Sequence, residues 1–186
     1  GGMDSIIQDA RQKSVTLLGL GVNVNLAPVA DVSTDPNDFI YDRSFGQDAQ
    51  ATAEYVSNVV KTMDAEGIGS VLKHFPGYGN NVDTHTGVAI DERPYETFQT
   101  SDYLPFTAGI QAGADAVLVS HNVMSCVDNQ LPASLSPAVH NELHSTLGFQ
   151  GVIMTDDLAM DAVAAYAGDQ SPAVMAVKAG NDMIIT

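Results

Sequence analysis

Apolar residues gather into five short, nearly continuous runs, at residues 22–32, 68–75, 114–122, 151–157 and 182–186, each preceded by a helix-like stretch ending at or near glycine. Ala116-Val117-Leu118-Val119, Val152-Ile153-Met154 and Met183-Ile184-Ile185 show no alternation with polar residues. A strand covered on one face alternates, whereas a parallel strand sandwiched between layers stays apolar throughout, so these runs predict buried parallel strands. Residues 5–20, 47–66, 95–112, 136–147 and 172–179 predict the intervening helices. In 47–66, Ala51, Tyr55, Val59 and Met63 recur at the spacing of one helix face. Alternating helix and strand defines an α/β chain.

Polar residues cluster where each strand should end. Asp31 closes the first run, Lys73-His74 lie in the second, Ser120-His121 in the third and Thr155-Asp156-Asp157 in the fourth. In a (β/α)8 barrel the carboxyl ends of successive strands converge on one site, while a doubly wound sheet gathers its ligand at a switch point. Contributions from four strands favour the barrel. A complete barrel takes about 250 residues, so the expectation is a partial TIM-type barrel of about five βα units. Residues 1–186 then form a single domain, with further units removed or supplied by another chain. Segments 33–47 and 76–93 carry no strand signal and follow strands, the usual place of lids and binding loops.

Charge narrows the partners. Seven Lys and Arg face 23 Asp and Glu, a formal net charge of −16. That balance leaves no basic patch for nucleic acid or an anionic membrane surface. No apolar run approaches the about 20 residues that span a bilayer, and the single Cys126 excludes an internal disulfide. Cytoplasmic placement is favoured over secretion. No metal or other cofactor is expected. His140 and His144 stand four apart in a predicted helix, where a surface role outweighs a metal pair.

Two segments could carry chemistry. Lys73-His74-Phe75-Pro76-Gly77-Tyr78-Gly79, followed by Asp83-Thr84-His85, brings a cation, two imidazoles and a carboxylate to one strand end and its loop. Were the loop to fold back, Asp83 could accept from the His85 imidazole, fix its tautomer and make it a general acid near neutral pH. The alternative for Lys73 and His74 is a core role, paired with Asp31 or Asp157. Gly151-Val152-Ile153-Met154-Thr155-Asp156-Asp157-Leu158 sets two carboxylates at the end of an apolar strand. Alternation sends them to opposite sides, one to the barrel mouth and one to cap the next helix. Lys73 or Arg43 could partner the inward one.

These two segments, with Gly21-Val22-Asn23-Val24-Asn25-Leu26-Ala27-Pro28-Val29-Ala30-Asp31-Val32, Asp42-Arg43-Ser44-Phe45-Gly46 and Pro132-Ala133-Ser134-Leu135-Ser136, resemble glycoside hydrolase family 3 over nearly the whole chain, and within it the NagZ-type β-N-acetylhexosaminidases. The resemblance implies a retaining mechanism acting on a carbohydrate substrate with terminal β-linked N-acetylglucosamine. By it, Asp156 is the nucleophile, His85 the general acid/base and Asp83 the residue that orients His85. Lys73, His74 and Arg43 match positions that hold sugar hydroxyls, and Asp31 shapes the same pocket. Family members usually have histidine where Tyr78 stands. The first three barrel strands of the family, with an Asp-x-Glu-Gly-Gly segment, have no counterpart here. The edge left at 22–32 would then invite pairing with a second copy or a complementing chain. Rival readings are a catalytically silent sugar-binding or assembly module, a family 3 β-glucosidase, which lacks the Asp-x-His loop, and a metal hydrolase using His74, His85, His121 and Asp156.

Overall fold

The computed structural model describes residues 2–84 and 87–186, and it holds an α/β architecture in which five parallel strands curl as part of a barrel. The strands are β1 (Val24–Asn25), β2 (Gly69–Phe75), β4 (Ala116–Val119), β6 (Val152–Asp157) and β7 (Met183–Ile185), neighbours in that order. A separate parallel pair, β3 (Ile90–Asp91) and β5 (Val123–Met124), joins the loops that follow β2 and β4. All five expected strands are present. Their registers are Val24 with Gly69, Val71 with Ala116, Ala116 with Val152 and Met154 with Met183.

Helix α1 (Met3–Gly19) precedes the sheet and α2 (Ala49–Glu66) links β1 to β2. Asp48 caps α2 by accepting from the Ala51 N–H at 2.8 Å, and Gly67 ends it in the left-handed region. Between β2 and β4 run α3 (Tyr95–Thr97), a π-turn (Phe98–Asp102) and α4 (Tyr103–Gln111). Next come α5 (Pro137–Asn141) with a second π-turn (Glu142–Thr146), then α6 (Asp161–Ala167) and α7 (Pro172–Ala179). No helix among the described residues is long and apolar enough to cross a membrane.

The two faces of the sheet differ. Leu72, Val117, Val119 and Ile153 pack outward with Val56, Val60, Phe98, Phe106, Val139 and Leu143 of the helical layer. Val71, Ala116, Leu118 and Met154, alternate residues of the same strands, form a smaller inner cluster. Alternation continues this inner row into Lys73 and Asp156.

Four expectations need correction. The first strand is two residues long, not eleven, because Pro28 has no N–H to give the ladder. The chain still runs beside β2, with Val71 N–H donating to Ala27 O and Ala30 N–H to Lys73 O. Segment 76–93 is not strandless, since β3 lies within it. Helix α6, the helix that follows β6, is not capped by an aspartate of the strand end: Met160 stands at its N-cap without a side-chain hydrogen bond. His140 lies buried, not on the surface, with Nδ1 directed to the Ser136 carbonyl at 2.8 Å.

Candidate active site

Because every strand of the sheet is parallel, all carboxyl ends open on one edge, and the polar residues picked out in the sequence meet there. Asp31 is the centre of a hydrogen-bonded chain. Its carboxylate is wholly buried and accepts from His74 Nδ1 at 2.7 Å, from the His74 backbone N–H at 3.1 Å and from the Tyr78 N–H at 2.8 Å. Arg43 Nη2 lies 3.2 Å from His74 Nε2. Guanidinium nitrogens only donate, so Nε2 must accept and Nδ1 must carry the proton toward Asp31. His74 is thereby a neutral relay in a fixed tautomer, tying a buried carboxylate to an exposed arginine. Asp31 faces His74 and the glycine turn, and both nitrogens of His74 have protein partners. The core pairing weighed for His74 is the one observed, with Asp31 and not Asp157.

Lys73 stands on the inner face, half-buried. Desolvation lowers its pKa and Arg43 lowers it further, while Asp156 and Asp31 act in the opposite sense. These four charges therefore share one neighbourhood. Asp156, also half-buried, accepts the Asp157 N–H on Oδ1 at 2.9 Å, and no described residue hydrogen-bonds its Oδ2. Asp157 turns away, its Oδ1 accepting from Ala159 N–H at 2.9 Å in the bend after β6, not at the start of a helix as expected. Alternation thus separates the two carboxylates, with Asp156 inside.

The loop after β2 comes over this edge. Asp83 is near enough that its charge, with those of Asp156 and Asp31, acts on the Tyr78 phenol. His85, the expected general acid, lies outside the described residues.

Sequence reasoning missed what seats this loop. Arg93 donates to Asp91 through Nε (3.0 Å) and Nη2 (2.7 Å), to Asp102 through Nη1 (3.0 Å) and to the Gly77 carbonyl through Nη2 (3.2 Å). Its guanidinium also lies 4.6 Å from the centre of the Phe98 ring. Asn81 Nδ2 donates to Asp91 at 2.6 Å. Gly77 and Gly79 have φ of +119° and +52°, and a Cβ would stand 2.4 Å from Asp102 Oδ1 or 2.3 Å from Arg93 Nη1. The glycines thus permit both the backbone turn and its close approach to the ion network. Asp91-Glu92-Arg93 and Gly77-Tyr78-Gly79 were the available signals, but neither is diagnostic alone.

Burial pushes the Asp102 carboxyl up to about 6, with Arg93 opposing and Asp91 and Asp31 reinforcing the rise. A carboxyl that binds its proton more tightly folded than unfolded stabilises the fold below pH about 4, and that contribution fades as pH rises to about 6. Between those limits wild type should therefore lose up to about 3 kcal/mol relative to Asp102→Asn. Urea denaturation across the interval measures this, and parallel profiles for the two proteins would contradict it.

His121 directs Nδ1 to Ser134 Oγ at 2.7 Å and Nε2 to the Asp157 carbonyl at 2.9 Å, so it braces β6. Among the described residues no group of three His, Cys, Asp or Glu side chains is arranged to hold a metal ion. A cavity of about 370 Å³ beside edge strand β1, walled by Asp9, Lys13, Asn25, Tyr55 and Met63 among others, contains none of the clustered site residues.

A parallel partial barrel with carboxylates, an imidazole and cations gathered at its carboxyl edge has the form of a barrel hydrolase domain. The chain belongs to glycosyl hydrolase family 3, matching the family's N-terminal domain over residues 2–186. It is 37% identical over 166 residues to a β-hexosaminidase of Xylella fastidiosa (strain M12), which covers 89% of this chain and 49% of that protein. A β-hexosaminidase of Stenotrophomonas maltophilia (strain R551-3) is 38% identical over 167 residues, covering 89% and 49%. The chain thus spans about half the length of these relatives. Among solved structures, a glycoside hydrolase family 3 β-N-acetylglucosaminidase from Paenibacillus sp. str. FPU-7 superposes with a TM-score of 0.94 at 32% identity, over 100% of this chain and 36% of that one. NagZ from Neisseria gonorrhoeae superposes with a TM-score of 0.87 at 29% identity, over 99% and 53%.

Proposed function

We propose that this chain is a single catalytic barrel domain that removes terminal β-linked N-acetylglucosamine, with retention at the anomeric carbon. The convergence of Asp156, Lys73 and the Asp31–His74–Arg43 chain at one sheet edge, below the loop bearing Asp83, carries this reading. Asp156 Oδ2 attacks the anomeric carbon, and the bond to the leaving oxygen breaks as His85, oriented by Asp83, gives that oxygen a proton. The product is a glycosyl-enzyme ester. His85 then takes a proton from water as the water oxygen attacks the same carbon, releasing the sugar and Asp156. Arg43 and Lys73 hold the sugar hydroxyls through charge-assisted contacts, and Asp31 and His74 act by fixing Arg43. The edges of the sheet, β1 and β7, expose Val24 and Met183, where a second copy or a complementing chain would pair.

Hydrolysis of 4-nitrophenyl N-acetyl-β-glucosaminide, with the glucoside in parallel and light scattering for the assembly state, tests the reading. Turnover of the N-acetyl sugar alone is the expected result; preference for the glucoside would replace it with a β-glucosidase. His85→Ala should slow substrates with poor leaving groups by about 10²-fold or more, yet leave release of activated aryl groups much less affected. Equal losses on both would remove His85 from the acid role.

A further inference from the structure

We propose that Tyr78 is a positioning residue for the loop after β2, its phenol holding Thr84 so that the adjoining Asp83, the residue that orients His85 in the proposed mechanism, is presented over the sheet edge. The catalytic side of this proposal rests on the acid/base reading of that pair; the tether itself does not. Tyr78 is 1% exposed and Thr84 wholly buried, and their hydroxyls hydrogen-bond to each other. Thr84 directly follows Asp83 in the chain, so a fixed Thr84 fixes the backbone from which the Asp83 side chain leaves.

The base of this tether is rigid. The Tyr78 N–H donates to Asp31, the same carboxylate that holds His74. Its ring meets the His74 ring edge-on at 5.3 Å and packs on Phe39 at 5.6 Å. On either side, Gly77 and Gly79 lie against Asp102 and Arg93 with no room for a side chain. Hydrogen bonds therefore connect Arg43 through His74 and Asp31 to the Tyr78 backbone, and the Tyr78 side chain carries the connection on to Thr84. Burial, with Asp156, Asp31 and Asp83 adding to it, pushes the phenol up to about 12. The tether thus keeps its proton across the range in which an imidazole titrates. Histidine, the residue that the family resemblance leads one to expect here, would itself change charge in that range.

Breaking the hydroxyl pair frees the loop without emptying the core, since phenylalanine retains the ring and valine retains the branched shape of threonine. Amide hydrogen exchange should be measured in wild type, Tyr78→Phe, Thr84→Val and the double variant, with the β2 and β4 amides as a folding control. Each single change should speed exchange at residues 82–84 about five- to tenfold, and the double should add little to either. In parallel, kcat for a disaccharide substrate should fall by about the same factor in Tyr78→Phe with KM within about twofold, while an activated aryl glycoside is spared. Loop exchange unchanged in both single variants, or two effects that simply add, would overturn the tether. If exchange rises but both substrates slow equally, Tyr78 supports the loop without acting on proton transfer, and the positioning role fails. Absence of wild-type turnover would sink the proposed function, and the exchange measurements would still decide whether the tether exists.

Discussion

Asp156→Asn is expected to lower kcat for N-acetylglucosaminide hydrolysis by at least about three orders of magnitude. The substitution preserves shape. Oδ1, which accepts the Asp157 N–H at 2.9 Å, stays in place, and the amide nitrogen takes the position of Oδ2, the oxygen that no described residue engages. An amide nitrogen there has no available lone pair for the anomeric carbon, and the negative charge that would steady a developing oxocarbenium ion is gone. Folding should be nearly unaffected, because Asp156 is only half-buried and makes no contact-distance ion pair among the described residues. Stopped-time assays with thermal melts of both proteins decide the matter. A variant that keeps a tenth of wild-type turnover would remove Asp156 as nucleophile.

The largest stability effect should come from Asp31→Ala. This carboxylate has no exposure and takes three hydrogen bonds, two from His74 and one from the Tyr78 N–H. Truncation strands these buried donors and, through His74, releases Arg43. Removing one member of a buried, hydrogen-bonded charged group costs about 3 to 5 kcal/mol, against about 1 kcal/mol for an average substitution. Urea midpoints at neutral pH measure the loss. The same variant should bind substrate more weakly even where it remains folded, since Arg43 no longer has a fixed partner. A loss below about 1 kcal/mol would show that Asp31 is not the anchor of this edge.

The framework was legible because burial on both faces writes itself into the chain as unbroken apolar runs, and Val117, Ile153 and Leu72 are such positions. Placing Lys73 and Asp156 at strand ends followed from the same runs. Less could be read where structure depends on partners distant in sequence. Nothing local says that Asp31 will meet His74, or that His74 will take its second hydrogen bond from Arg43 rather than offer it to a ligand. The β3–β5 pair is two residues on each side, too short to impose a period. Arg93, Asp91 and Asp102 belong to no motif that local sequence marks out. Asp91 and Asp102 are buried and Arg93 half-buried because the glycine turn lies on them, and that close approach is visible only in three dimensions.

The wholly parallel sheet has a kinetic consequence. No strand can pair with its sequence neighbour through a tight turn, and each register joins residues dozens of positions apart, as Val24 with Gly69 and Val71 with Ala116. Loop closure must precede the contacts that reward it, so folding should be slow relative to helical chains of this size. The carboxyl edge, which needs four strands in register, would be among the last features to gain its shape.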